Sequence, residues 1–432
     1  MADLEFDLIV VGGGPAGLSA AYVAAKKGYK VILFERGEHP GSKNVMGGVL
    51  YRRATEEIIP EFWREAPLER PIIEQNYWFL AEQSAVKVGY RSQEFGAEPY
   101  NNFTVLRAKF DRWFGKKVEE AGALVINETV VDELLNDGHT VVGVRTGRAQ
   151  GEVRAPLTII AEGANSLLTQ QAGLRQDIPP QHLAVAVKEI IALPKETIEN
   201  RFNLESGQGS VIELVGEATH GMMGTGFIYT NEKSLSVGVG AILSEVVARK
   251  VNPNDLLEHM KRHPVVKPLI EGGETKEYLA KLIPEGGYRA MPKLFAPGLL
   301  VAGDAAMMVN GIHREGSNLA MLSGKFAAET AIDALKTGDF SVGMLEQYQK
   351  RLENSFVLQD LKKYQNASGL FEENPQYFRQ YPEMMNDVFH EFFTIDNVPK
   401  KVKQKIMLEK VRNRRSWGKL AGDMYKLWRA LG

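Results

Sequence analysis

A chain of 432 residues can hold two or three domain-sized units, each with a substantial core. Its composition (44% hydrophobic, 25% charged, net charge −2) is that of an ordinary globular protein, and nothing in the overall charge makes nucleic acid an obvious partner. The absence of cysteine excludes disulfides, thiolate catalysis and a cysteine-ligated iron–sulfur cluster within this chain, and no metal site is expected.

The N-terminus, MADLEFDLIVV, has no basic region ahead of a long apolar one, so no signal peptide is read. No uncharged apolar run approaches the roughly 20 residues that span a bilayer. The expected location is the cytoplasmic side, peripheral to the cell membrane.

The stretch FDLIVVGGGPAGLSAAYVAAKKGYKVILFER is the strongest signal. An apolar run from Phe6 to Val11 leads into Gly12, Gly14 and Gly17 at GxGxxG spacing. A helical Ala/Leu pattern follows, and then a second apolar run, Val31 to Phe34, ending at Glu35. Gly12 permits the tight turn, Gly14 lets backbone approach a pyrophosphate, and Gly17 lets helix and strand pack closely. The helix start, Pro15 and Ala16, turns N–H groups and positive dipole toward phosphate. Glu35 can accept from a ribose, with Arg36 beside it, and the acid disfavours a 2′-phosphate.

Residues 75–106 and 184–243 carry alternating runs such as AVAVKEIIAL and SLSVGVGAIL, which predict strands of a second sheet. GMMGTG (221–226) lacks the strand and helix of a nucleotide loop and is expected to be a turn, so no NAD(P)H site is read. PNDLLEHMKRHPVVKPLI (253–270) predicts a helix with a Pro-terminated end.

An apolar strand at LLVAG (299–303) ends in Gly303-Asp304 and opens onto a helix near Gly316 and Asn318. An acid ending a buried strand needs a partner. A return of distant chain to the nucleotide is required by FAD, whose ribityl chain and isoalloxazine extend past the pyrophosphate, and not by NAD. Asp304 can accept from ribityl hydroxyls. The helix at Gly316 would aim N–H groups at the flavin O2/N1 edge and favour an anionic reduced flavin.

Beyond Gly338 the chain predicts helices. From Pro399 onward eleven Lys/Arg stand against two acids, +9, leaving −11 for the remainder. Trp417, Leu420, Met424, Leu427, Trp428 and Leu431 fall on one stripe, with Lys419, Lys426 and Arg429 opposite. That stripe fits either a terminal helix docked on its own domain or one facing a membrane or a partner.

Together, the fingerprint, VLRAKFDRWF (105–114), TIIAEGANS (158–166) and GDAAMMVNGIHREGSNLAMLSGKFAAE (303–329) resemble the p-hydroxybenzoate-hydroxylase-like FAD superfamily. GSKNVMGGVLY (41–51), YTNEKSLSVGVG (229–240), YPEMM and FTIDN (393–397) narrow the likeness. From about residue 4 to about 412 the chain resembles the electron-transfer flavoprotein:quinone oxidoreductase family, in its Fix-type branch. The resemblance implies that Arg107 reaches the ribityl or phosphate region, that Val131 offers backbone to adenine, and that Ala161 and Gly163 line the pyrophosphate. It places Asn44, Gly47 and Gly48 near the reactive face of the isoalloxazine. Glu162 stands where much of the superfamily has Asp. His313 and Arg314 depart from the commoner residues beside the flavin and are further candidates there. No side-chain acid–base pair is required, because the flavin itself carries the electrons.

The implied fold class is α/β: a Rossmann-like FAD-binding domain (1–75, 107–183 and 285–340) with an inserted antiparallel-sheet quinone or substrate domain (76–106 and 184–284). A helical C-terminal region (341–432) would make partner or membrane contacts. The implied activity is electron relay on FAD, from an electron-transfer flavoprotein of two subunits to a membrane quinone, menaquinone or ubiquinone. Fused members carry a cysteine-ligated cluster domain, so a separate ferredoxin-like iron–sulfur subunit is expected with this cysteine-free chain. The alternative on the same scaffold is a flavin monooxygenase or a prenyl-lipid (geranylgeranyl-type) reductase.

Overall fold

The computed structural model describes residues 6–44 and 48–432, in two compact units. The first comprises Met1–Glu69, Asn101–His182 and Leu282–Tyr364; the second comprises Arg70–Tyr100, Leu183–Lys281 and Gln365–Gly432. No helix among the described residues is long and apolar enough to cross a membrane.

The first unit is built on a six-stranded sheet. Its order is Phe295–Ala296, Leu299–Val301, Leu157–Ile160, Leu8–Val11, Val31–Phe34, Leu124–Ile126, parallel except for the hairpin at the Phe295 edge. The strands Leu8–Val11, Val31–Phe34 and Leu157–Ile160 are buried at every position, as continuous apolar runs in a sheet covered on both faces should be. The register aligns their C-terminal ends. Val11 pairs with both Phe34 and Ile160, and Ile160 pairs with Val301, so these strands end in one row. Gly12, Glu35, Ala161 and Ala302 each continue the ladder by one N–H, at 2.8–2.9 Å. Residues from four separate parts of the chain therefore leave the sheet along one edge.

Helices Pro15–Ala25 and Ser317–Thr337 pack side by side in this unit. Their contact depends on Gly324, whose added Cβ would lie 2.0 Å from the Ala16 carbonyl oxygen.

The second unit is a sheet ordered Glu274–Pro284, Leu183–Ala192, Ser234–Ile242, Gly224–Thr230, Gly209–Gly216, Arg70–Leu80, with Ala85–Arg91 paired to Arg70–Leu80. It is antiparallel in the runs from Leu183 to Ile242, but Gly209–Gly216 pairs parallel to Arg70–Leu80, a strand brought from far away in sequence. The stretch 221–226 differs from expectation, because strand Gly224–Thr230 begins inside it. Glycine hides the alternation there, and it is needed: a Cβ on Gly224 would meet the Gly240 carbonyl oxygen at 2.1 Å. The helix expected over 253–270 divides into Pro253–Arg262 and Lys267–Ile270. His263 is extended (φ −56°, ψ 132°) because Pro264 disfavours a helical residue before it.

Within this unit the C-terminal helices Gln380–Phe393, Lys400–Arg414 and Trp417–Leu431 follow one another. The stripe on the last helix is divided. Leu420, Leu427 and Leu431 are half-buried, while Trp417, Met424 and Trp428 are 53%, 63% and 69% exposed. The helix is anchored instead by Asp423, which is buried. Its carboxylate accepts from Arg415 Nε and Nη2 at 2.7 and 2.8 Å, from Tyr381 at 2.8 Å and from Gln376 at 3.2 Å. A polar network, which an apolar-stripe reading does not detect, docks the helix and leaves the aromatics outward.

Candidate functional site

The row of strand ends in the first unit makes the candidate cofactor site. Gly12, at φ 106°, turns the chain where a Cβ would lie 2.3 Å from the Ala161 carbonyl oxygen. Gly17 sits against Gly12, with 1.9 Å between its added Cβ and the Gly12 oxygen. Gly14 differs: its backbone is extended (φ −84°, ψ −178°), and a Cβ there would meet nothing within 4 Å. The helix that comes next opens with Pro15, has no side-chain cap, and so presents its first N–H groups to that open space.

Glu35 shapes the loop. Its Oε2 accepts from Gly13 N–H at 2.8 Å and its Oε1 from Gly37 N–H at 2.6 Å. Each oxygen keeps a further lone pair. The chain running into Val131 passes beside it, with Thr129 N–H bonded to the Glu35 carbonyl at 2.9 Å. Arg36 is the exposed residue next in line.

At the other end of the row, Gly303 and Asp304 lie in a short turn, Gly303–Ala306, and the Asp304 carboxylate accepts no hydrogen bond from the described residues. Glu285 is electrostatically coupled to it. Burial, and then the like charge of Asp304, push the Glu285 carboxyl up to about 7. The helix beginning after Gly316 has no side-chain cap, and near its start Asn318 Oδ1 and Asn310 Nδ2 are buried without partners. Orphaned polar atoms and an uncapped helix start are what a large polar ligand would satisfy.

Arg107 is buried and held by a two-point bond to Asp111, Nε–Oδ1 at 2.9 Å and Nη2–Oδ2 at 2.7 Å. Asn44 Nδ2 donates to the same carboxylate at 3.0 Å. Asp111 thus joins two expected residues, and its only sequence trace is the i,i+4 spacing in RAKFD. Gly163, at φ 83°, faces open space, and Gly48 is buried. Gly47 lies outside the described residues. Glu162 plays a structural part, accepting from the Leu168 and Thr169 N–H groups at 3.0 and 2.9 Å and so capping helix Leu167–Gln171. His313 Nε2 pairs with the Tyr364 hydroxyl at 2.9 Å, and Arg314 is left-handed (φ 59°), with its carbonyl accepting from Tyr51 at 3.2 Å.

Arg175 carries no signal in the sequence. Its Nη1 donates to Ser166 Oγ and the Ala305 carbonyl at 3.1 Å each, and its Nη2 to the Ala290 carbonyl at 3.2 Å. One guanidinium therefore ties together the loops after strands Leu157–Ile160 and Leu299–Val301.

Against known proteins, residues 7–175 match the FAD-dependent oxidoreductase family, and residues 367–432 match the C-terminal domain of the ETF-QO/FixC family. The protein FixC of Bradyrhizobium diazoefficiens is 48% identical over 434 residues, covering 100% of both chains. The chain belongs to the FixC family. A probable electron transfer flavoprotein-quinone oxidoreductase of Escherichia coli is 39% identical over 410 residues, covering 94% of this chain and 95% of that one. Among solved structures, a geranylgeranyl bacteriochlorophyll reductase-like protein from Thermoplasma acidophilum aligns with a TM-score of 0.74 at 20% identity, over 98% of this chain and 99% of that one. At that identity the likeness shows the fold alone. The protein is accordingly an FAD-dependent oxidoreductase of this family. The open space at Gly14, the unengaged Asp304 and the uncapped helix start fit the cofactor.

Proposed function

We propose that the protein is an electron relay, taking electrons from a two-subunit electron-transfer flavoprotein and passing them to a membrane quinone, menaquinone or ubiquinone. Bound FAD supplies the redox chemistry. The chain's residues bind and orient it. Gly14 and the helix after it hold the pyrophosphate, Glu35 and Val131 the adenosine end, and Asp304 the ribityl chain. The N–H groups of Ser317 and Asn318 face the flavin ring. Arg107, fixed by Asp111, reaches the ribityl or phosphate region, and Asn44 and Gly48 lie near the reactive face of the ring. With no cysteine in the chain, a separate ferredoxin-like iron–sulfur subunit carries any cluster.

The observation that carries this reading is the full-length likeness to the FixC family. Two exposed apolar groups in the second unit support a peripheral membrane position. Phe392, Phe393 and Ile395 are 59%, 68% and 86% exposed, and Trp417 and Trp428 are outward on the basic last helix. The first group is held rigidly, because buried Lys403 donates to the Thr394 carbonyl at 2.5 Å and pairs with Asp396 at 2.9 Å. Such a loop loses little entropy on contact.

The test is quinone reduction in anionic vesicles driven by reduced electron-transfer flavoprotein. Doubly substituted Trp417→Ser/Trp428→Ser protein should keep its flavin and its water-soluble dye activity but lose vesicle-supported rate and co-sedimentation. An unchanged vesicle rate would remove the membrane part of the proposal. A wild-type chain inert toward reduced electron-transfer flavoprotein would remove the relay.

A further inference from the structure

The second unit gathers three ligating side chains that the flavin chemistry does not use. Strand Gly209–Gly216 ends in a single 3-10 turn, Glu217–Thr219, and His220 comes next in left-handed backbone (φ 52°, ψ 33°). That reversal brings His220 Nδ1 to 3.5 Å from Glu217 Oε1. His259, on the helix Pro253–Arg262 that packs on this turn, brings Nε2 to 3.1 Å from the same oxygen. The two rings lie with centroids 4.1 Å apart, and one ligand atom from each of the three residues falls within 4.8 Å of the others.

Distances and directions separate this from an ordinary hydrogen-bonded trio. A tetrahedral ion bound at about 2.0–2.1 Å by nitrogen and carboxylate oxygen spaces its ligands roughly 3.3–3.4 Å apart. The two edges that meet at Glu217 Oε1, 3.1 and 3.5 Å, bracket that spacing. His259 Nε2 is buried and makes no well-aligned hydrogen bond, although the carboxylate oxygen is close enough for one. The atoms are near without pointing at each other, as ligands of a common centre are.

The turn is braced from outside as well. Arg249 Nη1 donates to the His220 carbonyl at 3.0 Å, and the Met223 N–H donates to Glu245 Oε1 at 3.1 Å. The ligand side chains are 28–40% exposed, so solvent can supply a fourth ligand.

The geometry points to a divalent transition-metal site, zinc foremost, held by Glu217, His220 and His259 with water in the fourth position. Two imidazoles and one carboxylate suit zinc and its neighbours better than magnesium or calcium, which prefer all-oxygen sets. The ion would clip the turn after Gly216 to helix Pro253–Arg262.

The experiment uses full-length, tag-free protein with FAD bound, stripped of metal by EDTA and exchanged into clean buffer. Zinc chloride alone is titrated in a calorimeter, and melting is followed with and without zinc. The expected result is one equivalent per chain and a rise in melting temperature. Affinity should fall at least about tenfold in both His259→Ala and the shape-preserving Glu217→Gln, with flavin content unchanged. Absence of binding heat with wild type, or equal affinity in wild type and Glu217→Gln, would overturn the site. Since Glu217→Gln keeps the packing, a His259→Ala protein that failed to fold would still leave the test decided.

Discussion

Consider Gly14→Val. The extended backbone at Gly14 is open to any residue, and an added Cβ meets nothing within 4 Å, so the substitution should leave the empty protein's stability within about 0.5 kcal/mol of wild type. The cofactor's pyrophosphate, however, would be pushed off the helix start. Losing two hydrogen bonds to a charged group at about 1.5–3 kcal/mol each gives a penalty of about 3–6 kcal/mol, on the order of 10²- to 10⁴-fold in affinity. Gly324→Ala makes the contrast. Its Cβ would lie 2.0 Å from the Ala16 carbonyl oxygen, so it should destabilise the fold itself, by about 1–3 kcal/mol. The assay is FAD titration of apoprotein by flavin fluorescence, with melting of the apoprotein in parallel. FAD affinity in Gly14→Val within about threefold of wild type would refute the assignment of that open space to the pyrophosphate, since a real block costs well over the roughly 1.4 kcal/mol that one decade of affinity represents.

Three further outcomes rest on the same geometry. Glu35→Gln removes the charged acceptor for the Gly13 and Gly37 N–H groups, and FAD binding should weaken by about 1.5–3 kcal/mol in the same titration. Lys403→Met removes the cation paired with Asp396 and the donor to the Thr394 carbonyl, and should cost about 1–3 kcal/mol in urea melts. Glu285, raised from 4.5 to about 7, holds its proton more tightly folded than unfolded. Its contribution to stability is therefore full below about 4.5 and is lost as pH climbs to about 7. Because the residue keeps some accessible surface, the slope should be shallower than full burial would give. Melting measured from pH 5 to 7.5 should show that fall in the wild type and not in Glu285→Gln.

The parts of this molecule that can be read from sequence are those in which one short segment carries its own geometry. GxGxxG between two apolar runs dictates strand, turn and helix locally, and an acid at the end of such a run, at Glu35 or Asp304, calls for a partner. The illegible parts depend on distant chain. Asp111 acquires meaning only when Arg107 and Asn44 converge on it. Arg175 looks like any surface arginine until three loops are folded around it. Gly224 reads as a turn because glycine gives no alternation, although the neighbouring strand demands it. On the last helix, Trp417 and Trp428 suggest an apolar face, but the docking is done by Asp423, whose partners Tyr381 and Arg415 lie 42 and 8 residues away. His259 is likewise too far in sequence from Glu217 and His220 for the three to form a recognisable motif.

The most direct measurement is anaerobic rapid mixing of the purified flavin-loaded chain, followed at the flavin absorbance. The relay account predicts rapid bleaching by reduced electron-transfer flavoprotein, recovery of colour when quinone-bearing vesicles are added, and no fast response to NADH or NADPH alone. Rapid bleaching by NADPH with no response to reduced electron-transfer flavoprotein would contradict it, and would point instead to the monooxygenase or prenyl-reductase chemistry of the same scaffold.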